Sequence, residues 1–269
     1  MDLDALAPSG VIGSALSRRT AWDDAAEPSA PVPQNPAEIL AMLMDFSGSV
    51  ALAELLSAAP AEGPSHPAAR ELARSLSRRV RMRLDAQLPA TLKPLVGRRA
   101  PGVPRADELL AQLREVCGDA VPDAAAAKVL AERLGAPLRS ALGVSLRQAQ
   151  AHIATLRWEI AHELRALGPR ADRLERVDAA LQRSMQGKLG ELLDRMEYAA
   201  ELTFERACVH ACAALPEGFD ESDLESWTTE SGWLERYRER CVRMTKALYG
   251  HLRRSLEGLL RAAAHAEAA

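Results

Sequence analysis

The stretch LRSALGVSLRQAQAHIATLRWEIAHELRAL, residues 138–167, decides the fold. Its apolar positions recur three or four residues apart over about eight turns, which is the spacing of one face of an α-helix. Gly168-Pro169 then ends the predicted helix, because proline cannot continue it and glycine suits its end. The apolar stripe comprises Leu138, Leu142, Leu146, Ala149, Ile153, Leu156, Ile160, Leu164 and Leu167.

Two more long helices with a single apolar stripe follow. The first continues from Leu174 towards Ala214, where Pro216-Glu217-Gly218 interrupts the pattern, and the second includes Leu234 to Leu259. Because the connections are short and each helix has one apolar face, neighbouring helices should pack antiparallel. Residues 136–265 are therefore predicted to form an elongated antiparallel three-helix bundle.

Composition favours the same fold class. Hydrophobic residues make up 48% of the 269-residue chain, whereas aromatic residues make up only 4%. Much of the hydrophobic content is alanine and leucine, which are good helix formers, as are arginine and glutamate. The chain is predicted to be all-α.

The first 135 residues are predicted to hold shorter helices that pack on one end or along one side of the bundle. Residues 1–34, rich in Ala, Ser, Pro and Asp, are expected to be disordered. Residues 35–135 form an N-terminal helical region in which the proline- and glycine-rich residues 89–104 are a loop and Gly135 ends the last helix. The predicted helices are 35–59, 68–88, 105–117 and 122–134.

Charge and cysteine content indicate the compartment. A net charge of −3 and a pI near 6.1 predict no general attraction to nucleic acid or membranes. The first residues do not resemble a secretory signal, and four cysteines do not make a disulfide framework, so we expect a cytoplasmic protein. The most apolar window, residues 39–56, contains Asp45 and Glu54 and is predicted to be a buried helix, not a transmembrane segment.

The stretch ERACVHAC, residues 205–212, resembles a metal site in its spacing. On a helix, however, Cys208 and Cys212 share one face while His210 points about 200° away from Cys208. Zinc would then need ligands from neighbouring helices. We therefore predict that the two cysteines fill a helix interface and that His210 faces solvent or another layer.

No other motif supports catalysis. Glu159 and His162 have the Glu-x-x-His spacing of di-iron bundles, but the long helices contain no second such motif, so His162 and Glu163 are predicted to be solvated. Nucleophile-elbow and phosphate-loop motifs are absent from the sequence. We expect no catalytic residues, no cofactor and no metal.

The strongest charge feature is a basic stretch at residues 70–105. It holds ten basic residues and only two acidic ones, Glu71 and Asp85. One interpretation is a basic face for an acidic partner, an anionic membrane surface or nucleic-acid phosphates. The other is a solvated face opposite the Leu72, Leu76, Val80 and Leu84 stripe, balanced by acidic helices nearby. The candidate binding residues here are Arg70, Arg74, Arg78, Arg79, Arg81 and Arg83.

A second candidate surface lies near the last helical hairpin. Trp227, Trp233 and Tyr237 are surrounded there by six acidic residues between 217 and 230. Exposed aromatics at an acidic tip would suit a docking surface. The alternative is that they cover the end of the bundle.

The sequence also resembles a proteobacterial family of uncharacterised helical proteins. The resemblance rests on AEILAMLMDFSGSVALAELLSAAP near the N-terminus, and on LQRSMQGKLGELLDRMEYAAELTFERA paired with WLERYRERCVRMTKALYGHLRRSLEGLL near the C-terminus. Members tend to be encoded beside proton-channel subunits of the flagellar-stator and TolQ/ExbB type, with an OmpA-like partner. The resemblance implies a cytosolic accessory protein of an ion-driven inner-membrane complex.

These observations together predict a non-enzymatic helical adaptor or scaffold that binds a partner protein, with a membrane channel subunit as the implied partner. The alternative is a protein that binds nucleic acid or an anionic membrane surface through residues 70–105. Of these two ligands, nucleic acid is the less favoured, because residues 70–105 lack aromatic side chains for base stacking. The sequence is also compatible with a homo-oligomer.

Overall fold

The computed structural model describes residues 68–98 and 100–266, and within these ranges the chain is all-α, as predicted. The predicted disordered segment 1–34 and the predicted helix 35–59 lie outside the described residues. None of the described helices combines the length and apolarity needed to cross a membrane. Those helices are α1 (Ala69–Val96), α2 (Ala106–Cys117), α3 (Ala124–Leu167), α4 (Pro169–Ala213), α5 (Glu221–Thr228) and α6 (Trp233–Ala266).

The three longest helices form the predicted elongated antiparallel bundle. α3 has 44 residues and α4 has 45, so each is about 65 Å long at 1.5 Å per residue. Only Gly168 separates them, with φ 157°, a conformation that a side chain would strain, and Pro169 then starts α4. Ion pairs join α3 to α4 near this turn (Arg165–Glu175) and at the far end (Lys128–Glu205).

The shorter helices complete the bundle differently at its two ends. α1 packs against α3 and α6 beside the α3–α4 turn, so this end has four helices. The Tyr249 hydroxyl of α6 donates a hydrogen bond to the Leu84 carbonyl oxygen of α1 at 2.7 Å. At the other end α2 and α5 contact each other and lie against α3 and α6, respectively. One hydrophobic core runs through all of these helices.

The predicted loop at 89–104 was partly wrong, because α1 continues through Pro89 and Pro94 to Val96. A proline inside a helix leaves the carbonyl four residues earlier without its hydrogen bond. Here those earlier residues, Asp85 and Ala90, are exposed, so water can bind both carbonyl oxygens. The helix therefore tolerates both prolines.

The predicted helix end at Gly135 was also wrong. α3 begins after Asp123, whose side chain accepts a hydrogen bond from the Ala126 amide at 2.7 Å, and runs on through Gly135 and Pro137. A Cβ at Gly135 would lie 2.9 Å from Cδ1 of Phe204. The glycine therefore permits close packing of α3 against α4, and the predicted boundary at 135/136 falls inside one continuous helix.

The apolar face of α1 is rotated from the predicted stripe. Leu76, Val80 and Leu84 are buried as expected, but the stripe begins with Ala69 and Ala73, and Leu72 is 45% exposed. Small alanines fit where α1 approaches α3 and α6 closely. Leu72 is consequently turned towards the surface.

Candidate interaction surface

The arginines of the basic stretch divide into two sets on α1. Arg79 and Arg83 form ion pairs with Glu163 and Glu159 of α3. Arg81 lies on the other flank, with its Nε 3.7 Å from Glu257 Oε1 of α6. These three side chains therefore link α1 to its two neighbours, which supports the interpretation that nearby acidic helices balance part of the stretch.

The second set is the α1 arginine row, which we define as Arg70, Arg74 and Arg78. All three are exposed, and within residues 68–98 and 100–266 none of them forms an ion pair. Their spacing of four residues places them on one side of the helix. The row is therefore a part of the basic stretch whose charge is available to another molecule, and it holds three such charges on one side of one helix.

The aromatic residues of the last hairpin lie in the core. Trp227 and Tyr237 are each only 5% exposed, and Trp233 is half-buried. Phe204 of α4 packs against them, with its ring centroid 5.2 Å from that of Trp233 and 4.8 Å from that of Tyr237. The Tyr237 hydroxyl donates to the Ala200 carbonyl oxygen at 3.1 Å, and burial raises its pKa. These aromatics cover the end of the bundle, while the acidic side chains around them face solvent.

The cysteines occupy the positions predicted from helix geometry. Cys208 and Cys212 are fully buried, whereas His210 is exposed. A hydrogen bond with Cys212 and burial raise the pKa of the Cys208 thiol, and burial raises the pKa of Cys241 to about 11. Cys208 and Cys241 are therefore held as protonated thiols, which are poor metal ligands and poor nucleophiles, whereas the hydrogen bond with Cys208 lowers the pKa of Cys212. Across the part of the chain that the structure describes, no group of three His, Cys, Asp or Glu residues is arranged to hold a metal ion.

Glu159 and His162 do not come together as ligands. Glu159 pairs with Arg83, and His162 is exposed, as is Glu163. The prediction that His162 and Glu163 are solvated is confirmed, although Glu163 also pairs with Arg79.

Sequence reasoning missed an uncharged outward face on α3, which we call the α3 crest. Trp158 projects from its centre and is 80% exposed, more than any other large hydrophobic residue described as exposed. Arg157 and Glu159, its neighbours, point sideways into ion pairs with α4 and α1. The signal that could have found the crest is the absence of charge at its helical positions from Ala151 to His162; Arg147, one turn earlier, pairs with Glu197 of α4. The crest comprises Val144, Ala151, Ala154, Thr155, Trp158 and His162, all exposed.

An open groove between α1 and α3 continues from the crest. His162 belongs to both, since it lies one turn beyond Trp158 and lines the groove. The groove has a volume of about 310 Å³, and Leu72 and Leu76 of α1 face Ala166 and Leu167 of α3 across it. It lies beside the first turn of α1, so the chain preceding Ala68 enters the described structure at this point.

Comparison with known proteins gives no relative for this arrangement: no protein-family profile, no curated protein and no solved structure matches the chain.

Proposed function

We propose that the protein is a non-enzymatic helical adaptor that binds an acidic surface of a partner protein through the α1 arginine row. The observation that carries this proposal is the division of the α1 arginines. Arg79, Arg81 and Arg83 are held by carboxylates of α3 and α6, whereas the α1 arginine row is exposed and has no such partner among the described residues.

The geometry of the row suits a protein carboxylate surface. Residues four apart on a helix are about 6 Å apart along the axis, so Arg70 and Arg78 are separated by about 12 Å. Each guanidinium can bind a carboxylate through two parallel hydrogen bonds. α1 is fixed to α3 and α6 by its core residues and ion pairs, so the row is presented on a rigid support.

The family resemblance narrows the proposed partner to the cytosolic part of an ion-driven, stator-type inner-membrane complex. Under this proposal the adaptor works in the cytoplasm, peripheral to that membrane. An acidic cytosolic surface on a channel subunit would be the complement of the row. The finer proposal rests on the resemblance alone.

The test is capture from the native host with a charge-reversed variant. The triple variant R70E/R74E/R78E should lose the membrane protein that the wild type retains at low salt. The matched control R206E/R236E/R240E reverses three exposed arginines elsewhere on the molecule and should retain it. Equal retention by both variants, or no membrane protein captured by the wild type, would contradict the proposal.

Binding to lipid or nucleic acid gives different outcomes in the same design. If the row instead binds phosphates, the wild type but not the R70E/R74E/R78E variant should bind vesicles containing anionic lipid, or duplex DNA, at low salt. Such binding without a protein partner would replace the adaptor proposal with the phosphate-binding alternative.

A further inference from the structure

The α3 crest is an apolar surface that a solvent-facing helix does not ordinarily present. Between Arg147 and His162 its outward positions carry no charge, and Trp158 stands 80% exposed among alanines. Exposed tryptophans surrounded by small apolar residues mark places where another chain packs. The groove beside Leu72 extends this surface to the end of α3.

We propose that residues 36–59 of this chain cover the α3 crest, packing on it as a helix whose C-terminal end lies at the groove. These residues include the most apolar window of the sequence, with ten large apolar side chains between 39 and 56. A helix of that composition needs apolar contacts on more than one side. The crest and the groove supply the apolar contact for one side of this helix.

The length and the attachment point of the segment fit this placement. Residues 36–59 span about 36 Å as a helix, and the crest and groove from Val144 to Ala166 span about 33 Å. The linker of residues 60–67 can reach up to about 28 Å when extended. It joins α1 beside Leu72, which itself lines the groove.

The charges also favour this segment. Residues 36–59 contain three acidic residues, Glu38, Asp45 and Glu54, and no lysine or arginine. On α1, beside the groove, the arginines without a carboxylate partner among the described residues are those of the α1 arginine row, because Glu163 neutralises Arg79. Glu197 likewise neutralises Arg147 at the α4 edge of the crest. A second copy would instead bring another α1 arginine row to this end of the bundle, where like charges repel.

Hydrogen–deuterium exchange of the full chain tests the proposal. Peptides from residues 39–56 should be protected in the wild type, and a charge placed in the contact, W158D, should speed their exchange at least about tenfold. Tyr198 provides the matched control, because it is an aromatic residue that is 61% exposed on α4, outside the crest and the groove. The variant Y198D should leave exchange in 39–56 unchanged.

The other outcomes each overturn the proposal. An absence of protection at 39–56 in the wild type would mean that nothing covers the segment. Equal protection in wild type and W158D, with α6 exchanging as in the wild type, would place the segment elsewhere. Protection that is lost on dilution would identify a second copy as the occupant.

Discussion

The α1 arginine row and the α3 crest lie on neighbouring helices at the same end of the bundle, yet they have opposite chemistry. The row carries three exposed guanidiniums, whereas the crest carries an exposed tryptophan among alanines. Arginine heads remain hydrated when nothing is bound to them, and their attraction to acids weakens with salt. An exposed indole gains by leaving water. The row therefore suits a reversible polar contact, and the crest suits a contact that persists.

The ion pairs between the two faces explain why they coexist. Arg79 and Arg83 reach from α1 to Glu163 and Glu159 on α3, so the charges closest to the crest are neutralised in pairs. Each such exposed pair contributes only about 0–1 kcal/mol to stability. Their effect on the surface is larger, because Arg79 and Arg83 are neutralised on the side of α1 that faces α3, while the arginines of the outer row stay unpaired.

The largest expected effect comes from weakening the packing of α1 on the bundle, which holds the α1 arginine row beside the α3 crest. Leu84 is fully buried between α1 and the bundle, so Leu84→Ala should lower the free energy of unfolding by about 2–5 kcal/mol. Met82 is 59% exposed on the same helix, so Met82→Ala should change it by less than about 0.5 kcal/mol. Chemical denaturation of both variants measures the difference, and similar losses would mean that α1 is not anchored by its buried face.

The next largest effect concerns an ion pair on the side of α3, away from the crest. Arg157 is bonded to Asp178 of α4 and donates to Ser255 of α6 at 2.7 Å, and the Asp178 side chain is 17% exposed. Arg157→Ala should cost about 2–3 kcal/mol, somewhat less than for a fully buried pair, because Asp178 keeps some contact with water. The more exposed pair between the same helices, Arg147–Glu197, provides the control, and Arg147→Ala should cost less than about 1 kcal/mol.

Denaturation at low and high salt distinguishes the two cases further. The loss in Arg157→Ala should persist at high salt, because the pair is shielded from solvent ions, whereas any effect of Arg147→Ala should shrink. A loss in Arg157→Ala that disappears at high salt would place Asp178 in full contact with solvent.

Sequence reasoning gave the fold class and the long helices because leucine and isoleucine repeat at helical spacing over many turns. It misplaced helix ends at Pro89 and Gly135. Whether a proline or glycine ends a helix depends on whether water or a neighbouring helix can accommodate it there. The exposure of Asp85 and Ala90 and the contact of the Phe204 ring with Gly135 depend on the tertiary structure. The α1 face was misjudged for a similar reason, since alanines add little to a hydrophobic pattern even when they form the core.

The candidate surfaces were harder to predict than the fold. The arginines of α1 could be found in the sequence, but not their division into two sets, because the carboxylates that hold Arg79 and Arg81 lie 84 and 176 residues away. Trp158 was overlooked because its neighbours Arg157 and Glu159 make the stretch look charged. Only the helical packing shows that both point sideways.

The smallest effect concerns the hydrogen bond that fixes the arginine-bearing helix to α6. The Tyr249 hydroxyl donates to the Leu84 carbonyl oxygen at 2.7 Å, so Tyr249→Phe should cost about 0.5–1.5 kcal/mol near neutral pH. This carbonyl is within a helix and keeps its backbone bond, which limits the loss. Denaturation at about pH 8 measures the change, and a loss as large as that of Leu84→Ala would mean that the ring position itself is altered.

The same tyrosine should make the α1 contact sensitive to alkali. Burial raises the pKa of Tyr249 to about 12, above its ordinary value near 10. The folded state therefore holds the phenolic proton more tightly than the unfolded state, and the stability from this group is intact below about pH 10 and lost as pH rises towards about 12. Between about pH 8 and about pH 11, the wild type should lose more stability than Tyr249→Phe. Tyr237 and the cysteines are present in both proteins, so the difference between the two losses comes from Tyr249. Equal losses would show that the Tyr249 hydroxyl is already open to solvent, and that α1 is held by its leucines and ion pairs alone.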